Sequence, residues 1–159
     1  MNFLFLCTGN SCRSILSEAI VNHLAPPGFA AFSAGSQPTG QLNPGAVALL
    51  LRKGIALDGY TSKSWHDVPL TPDVVITVCG NAAGETCPAY LGNVVRAHWG
   101  LEDPSLAEGT APEIAAAFEH TYQIVLARTR ALFALPLSGL TGDRTALQQA
   151  LARIGARAD

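Results

Sequence analysis

The hydrophobic positions of this chain form two kinds of run that alternate along its length. Short unbroken runs occur at 2–6 (Asn-Phe-Leu-Phe-Leu), at 29–33, at 73–78 (Asp-Val-Val-Ile-Thr-Val) and, more weakly, at 94–98. Runs this short and this apolar suit strands buried on both faces of a parallel sheet. Elsewhere the apolar residues recur at helical spacing. Ile15, Leu16, Ala19, Ile20 and Leu24 form one helix face, which Pro26-Pro27-Gly28 ends. Asn43-Pro44 opens a helix over 46–53, with Asn as its cap and Pro in its first turn, and Gly54 stops it. Ile114, Phe118, Tyr122, Val125 and Leu132 mark a long amphipathic helix over 114–133. A linker over 135–142 then leads to a last helix over 143–154, capped by Asp143.

Strands alternating with helices predict a single α/β domain: a four-stranded parallel sheet flanked by helices on both faces, with an extra C-terminal helix. A chain of 159 residues is long enough to bury one substantial core, and it carries no repeat or second domain. Residues 1–134 make the main unit, and 135–159 join the same compact body. Apolar residues are 48% and charged ones 14%, which excludes a disordered chain. A net charge of −2 leaves no electrostatic footprint for nucleic acid or an anionic membrane. The apolar runs also fall short of the roughly 20 residues a membrane span needs. Met1-Asn2 lacks the basic cluster of a secretory leader, so the expected setting is a reducing cytoplasm, where the four cysteines stay thiols. Cysteines in that setting point to catalysis, redox exchange or metal more than to structural bridges.

The chemistry is concentrated in Cys7-Thr8-Gly9-Asn10-Ser11-Cys12-Arg13-Ser14, between the first strand and the first helix. A loop in that position aims successive backbone N–H groups at one point, helped by the positive end of the helix dipole. Gly9 permits the tight path, and the planar fork of Arg13 can grip two oxygens of a tetrahedral oxyanion. The same field is expected to lower the Cys7 thiol pKa, with Ser14 donating a hydrogen bond to the thiolate and Asn10 bracing the loop. Between residues 1 and 51 the only charged side chains besides the terminus and His23 are Arg13 and Glu18. The plainer alternative, a buried Cys beside a surface Arg, explains that isolation less well. Cys79 also directly follows a predicted strand, so it should open on the same sheet edge as Cys7.

The Cys-x5-Arg-Ser loop near the N-terminus, with Asp103-Pro104 downstream, resembles the low-molecular-weight tyrosine phosphatase superfamily. Within it, the loop itself, Ser33-Ala34-Gly35, Val78-Cys79, Cys87-Pro88 and His98-Trp99-Gly100 ahead of Asp103-Pro104 look like the thioredoxin-coupled arsenate reductases. The likeness runs in order over about residues 2 to 134. It implies a phosphatase-like fold and reduction of arsenate to arsenite, with arsenate (phosphate or sulfate as analogues) held in the loop. Cys7 would be the nucleophile, and Asp103 the acid that protonates the departing oxygen. A disulfide would travel from Cys7–Cys79 to Cys79–Cys87, where an external thiol reductant, thioredoxin first, would reduce it. Glutaredoxin with glutathione, or mycothiol, are the other couplings found among relatives.

Gly80 and Gly84 predict a segment able to move with that disulfide. Cys-x7-Cys is a poor zinc spacing, and two inert core cysteines are the blander reading. Cys12 either pairs with Cys7 protectively or packs beneath the loop; packing is the expectation. His98 and Trp99 read as packing residues. Some superfamily members hold potassium beside the loop with an Asn, a Glu, a Ser and an Asp. Asn10, Glu18 and Ser33 match three of these, but Lys63 stands at the fourth, where its ammonium is expected to pair with Glu18 in place of a metal. No bound metal or cofactor is therefore expected. Two rival readings fit the same residues: a low-molecular-weight protein tyrosine phosphatase, and a non-enzymatic oxyanion or thiol-redox sensor.

Overall fold

A computed structural model describes residues 1–79 and 94–156. Four parallel strands form one sheet: β1 (Asn2–Leu6), β2 (Ala30–Ala34), β3 (Val74–Thr77) and β4 (Val95–His98), in the order β2-β1-β3-β4. All three pairings are parallel, and their registers place Leu6 beside Ala34 and Thr77, and Thr77 beside His98. The carboxyl ends of the strands therefore align along one edge. Phe3, Leu4, Phe5 and Ile76 are fully buried, as the unbroken apolar runs require.

Helices flank this sheet. Helix α1 (Arg13–Leu24) follows the first loop, and α2 (Pro44–Arg52) is capped by Asn43, whose side-chain oxygen accepts from the N–H groups of Gly45 and Ala46. The long α3 (Ala111–Phe133) opens with a capping box in which Thr110 and Glu113 bond reciprocally. Ile15, Leu16, Leu49, Leu50, Phe118 and Val125 join these three helices in one apolar cluster. The expected linker over 135–142 contains a short helix, α4 (Leu137–Leu140), because Pro136 starts a turn whose carbonyl accepts from Gly139 and Leu140. Helix α5 (Arg144–Gly155), capped by Asp143, buries Leu147, Leu151 and Ile154 in the core that contains β4. None of the described helices is long and apolar enough to cross a membrane.

Candidate active site

Cys7 leaves β1 at the carboxyl edge, and the loop after it is held from outside by its own carbonyls. Those of Thr8, Gly9 and Ser11 accept from the backbone N–H groups of Gln37, Thr39 and Asn43, at 3.0, 3.0 and 2.8 Å. A planar trans peptide that turns its carbonyl outward turns the next N–H inward. The N–H groups of Gly9, Asn10 and Cys12 thus turn toward the concave side, the arrangement an anion nest requires. Asn10 makes the tightest bend, with φ of 45°, a left-handed conformation that Asn tolerates. Its side chain fixes that bend: Nδ2 donates to Ser14 Oγ at 2.8 Å, and Oδ1 accepts from the Lys63 backbone N–H at 2.8 Å.

Gly35 lies directly beneath. A Cβ there would sit 2.3 Å from the Thr8 carbonyl oxygen and 2.6 Å from that of Cys7, so only glycine lets β2 pass under the loop. Its N–H donates to the Lys63 carbonyl and its carbonyl accepts from Trp65, which ties the loop to a third segment. Ser62 adds a further strut, donating to the Gly9 carbonyl and accepting from the Gly40 N–H. The Ser-Ala-Gly turn was visible in the sequence as part of a resemblance; its steric purpose and the part played by Ser62 were not.

Cys7, Cys12 and Cys79 are all reduced and buried. Thr8 Oγ1, on the residue after Cys7, lies 3.8 Å from Cys79 Sγ, and Cys79 is near enough to shift the Cys7 thiol. Two sulfurs predicted to open on one sheet edge are therefore neighbours. Their proximity corrects one expectation. In this arrangement the Cys7 thiol is pushed up, first by Cys79 and then by burial, while Arg13 and the Gly9 N–H pull it down. Ser14 does not bond to Cys7 either: its hydroxyl oxygen accepts from Asn10, and the Cys7 sulfur is engaged by Cys79 and the Gly9 N–H. Burial, and then the nearby Asp103 charge, push the Cys12 thiol up to about 12, which fits packing better than chemistry. Cys87 lies outside the described residues, as do Gly80 and Gly84.

Arg13 begins α1 and reaches across to the segment after β4. Its Nη1 donates to the Leu101 carbonyl at 3.1 Å, and its Nη2 lies 3.4 Å from Asp103 Oδ2. The other Asp103 oxygen accepts from the Ser105 N–H at 3.0 Å and from its hydroxyl at 2.6 Å. One carboxylate oxygen is thus fixed and the other faces the loop. Trp99 packs as expected at 2% exposure, whereas His98 is exposed, its Nδ1 2.7 Å from Thr77 Oγ1.

Beside the loop, Glu18 is buried and Ser33 donates to it at 2.6 Å. Burial raises the Glu18 carboxyl pKa, against the Ser33 hydrogen bond and the Lys63 charge. Lys63 does not form the expected ion pair: its ammonium donates to the Thr61 carbonyl at 2.9 Å, and it acts on Glu18 only through its field. The donor set fits potassium poorly. The Ser33 and Asn10 oxygens keep lone pairs beside their hydrogen bonds, but a cation, Lys63, stands at the fourth position and acts on Glu18 through its charge. Among the described residues, no group of three or more His, Cys, Asp or Glu side chains could hold a metal ion.

The chain matches the low molecular weight phosphotyrosine protein phosphatase family over residues 2–148. That match runs into α5, beyond the likeness to residue 134 read from the motifs. An arsenate reductase of Shouchella clausii is 40% identical over 127 residues, covering 79% of this chain and 90% of that protein. A solved arsenate reductase in its phosphate-binding state superposes with a TM-score of 0.69 at 28% identity, over 84% of this chain and 96% of the other. A thioredoxin-dependent arsenate reductase of Corynebacterium glutamicum gives a TM-score of 0.58 at 27% identity, over 84% of this chain and 60% of that one. With its loop, its sheet order and these relatives in agreement, the chain belongs to the low molecular weight phosphotyrosine protein phosphatase family, and its similar curated relatives there are arsenate reductases.

Proposed function

We propose that this protein reduces arsenate to arsenite, and that the closeness of Cys79 to Cys7 at one sheet edge carries the reaction. A phosphatase needs one sulfur at the loop. A second thiol beside the first supplies what a two-electron reduction requires.

Arsenate enters the nest of N–H groups with its charge against Arg13, exchanging the Leu101 and Asp103 contacts of that guanidinium for oxyanion oxygens. Cys7, as thiolate, attacks arsenic; an oxygen leaves as water after taking a proton from Asp103, and a Cys7–arsenic bond remains. The Cys79 thiolate then attacks the Cys7 sulfur. The electron pair of the sulfur–arsenic bond goes to arsenic, which departs as arsenite, reduced from the pentavalent to the trivalent state. The two sulfurs are oxidised to a Cys7–Cys79 disulfide. Attack of Cys87 on Cys79 returns Cys7 to its thiol and leaves a Cys79–Cys87 disulfide for an external dithiol.

Thioredoxin is the proposed reductant, a reading supported by the thioredoxin dependence named for the Corynebacterium relative. The proposed setting is the cytoplasm, where thiols stay reduced. Arsenate-dependent NADPH oxidation, with thioredoxin and glutaredoxin systems supplied separately, tests both parts. Turnover with thioredoxin alone is expected. Turnover with glutaredoxin alone would overturn the coupling, and no single-turnover arsenite release from the reduced enzyme would overturn the reduction. Slow phosphatase activity should accompany the main reaction, because phosphate and arsenate share one shape and the loop is common to both chemistries.

A further inference from the structure

Arg128 breaks the rule of its own helix face. The buried side of α3 runs Phe118, Thr121, Val125, Arg128, Thr129 and Leu132, and Arg128 is only 6% exposed. A guanidinium is expensive to bury, so its donors must meet acceptors that justify the position. Nη1 donates to the Gly100 carbonyl at 3.1 Å, and Nη2 to the Gly155 carbonyl at 3.3 Å. Gly155 ends α5, where the carbonyl end of the helix dipole favours a cation.

That end of α5 is pressed against the start of the acid segment. A Cβ on Gly155 would lie 2.4 Å from the His98 carbonyl oxygen and 2.6 Å from Trp99 Cδ1. Trp99 Nε1 donates to the Leu151 carbonyl at 2.9 Å. The next carbonyl along, that of Leu101, accepts from Arg13. Two arginines therefore grip adjacent carbonyls, two and three residues ahead of Asp103. Beyond them the segment spans a cleft of about 690 Å³, with Gly100, Glu102, Pro104 and Leu106 on one wall and Ala117 and His120 of α3 on the other. Leu101 packs against both apolar clusters and Pro104 is buried, while Asp103 between them borders the cleft, so the tethers at Gly100 and Leu101 help set where it points.

We propose that Arg128, anchored to the carboxyl end of α5, is a positioning residue that holds the 100–103 segment so that Asp103 meets the oxyanion in the Cys7 loop. The inference rests on the reading of Asp103 as the general acid. It gives α5 a role in the reaction without any contact to substrate.

The test is a double-mutant cycle on the full chain, reading single-turnover arsenite formation by the reduced enzyme, with inorganic phosphate as the binding probe. Arg128→Met should slow the reaction about tenfold or more, since small misplacements of a catalytic group cost up to about a hundredfold. Inhibition by phosphate should stay within about twofold, because the loop is untouched. Asp103→Asn should slow the reaction about a hundredfold, and adding Arg128→Met to it should cost less than about twofold more. The same loss from Arg128→Met in both backgrounds would mark general damage and overturn the proposal, as would a wild-type rate for Arg128→Met alone. A wild-type rate for Asp103→Asn would instead refute the acid assignment and the brace with it. Arg128→Lys keeps the charge but offers one ammonium to two carbonyls, and it carries the same cycle should Arg128→Met fail to fold.

Discussion

Replacing Gly35 by alanine tests whether the loop works through its shape. The added carbon would meet backbone, not a movable side chain, at 2.3 Å from the Thr8 oxygen and 2.6 Å from the Cys7 oxygen. Carbon and carbonyl oxygen rest at about 3.3 Å or more, so the strand and loop must part by about 1 Å. The loop cannot yield freely. Its carbonyls are tied to Gln37, Thr39 and Asn43, and Gly35 itself is bonded to Lys63 and Trp65. Overpacking of this kind costs about 1–3 kcal/mol, which in a domain of this size lowers Tm by about 2–12 °C. Displacing Cys7 and its N–H groups by about 1 Å should slow arsenite formation about a hundredfold, as rates depend steeply on the placement of reacting atoms. Single-turnover arsenite release, phosphate inhibition and a thermal melt measured on one preparation separate the two effects. A variant that melts lower but reacts at the wild-type rate would refute the idea that loop shape sets the chemistry.

Other substitutions probe the charges and thiols around the loop. In Cys79→Ala the neighbour that pushes Cys7 up is gone, so alkylation of Cys7 at neutral pH, followed by mass spectrometry, should rise about tenfold or more, one pKa step, while arsenite release is lost. No gain in alkylation would mean that Cys79 does not restrain Cys7. Burial raises the Glu18 carboxyl pKa, so the folded state binds its proton more tightly than the unfolded chain does. Its contribution to stability is therefore full below the ordinary carboxyl range and is lost as pH rises through its raised value. Glu18→Gln should accordingly gain stability relative to the wild type as pH rises from 4 to 7 in denaturant titrations; a constant difference would contradict this. Potassium titrated against sodium should leave kcat and Tm unchanged, and a several-fold rise in kcat would show that Lys63 does not substitute for the ion.

The fold was legible in the sequence because its strands are buried on both faces and its helices carry strong end signals. Asn43, Asp143 and the Pro26-Pro27-Gly28 break fall where the elements begin and end. The short helix at Leu137–Leu140 escaped, being a single turn without a periodic face. At the site, Cys7, Asn10 and Arg13 could be read from one contiguous loop. The placement of Cys7 and Cys79 at one sheet edge was anticipated, since both residues follow parallel strands. What stayed hidden depends on distance between chain segments. Gly35 matters through two carbonyls far from it in sequence, Lys63 through its backbone N–H as well as its charge, and Arg128 through the end of another helix. The upward push on Cys7 was missed for the same reason: loop dipoles can be read locally, whereas a neighbouring thiol cannot.

In the proposed relay, Cys7 and Cys79 are consecutive sulfurs, and Cys87→Ser, reduced, freed of external thiols and mixed with excess arsenate, isolates them. Arsenite and the disulfide pattern are then quantified by mass spectrometry. One arsenite per protein and an accumulated Cys7–Cys79 disulfide are expected, with no further turnover when thioredoxin is added. Sustained turnover, or one arsenite released with Cys79 still a thiol, would refute the relay.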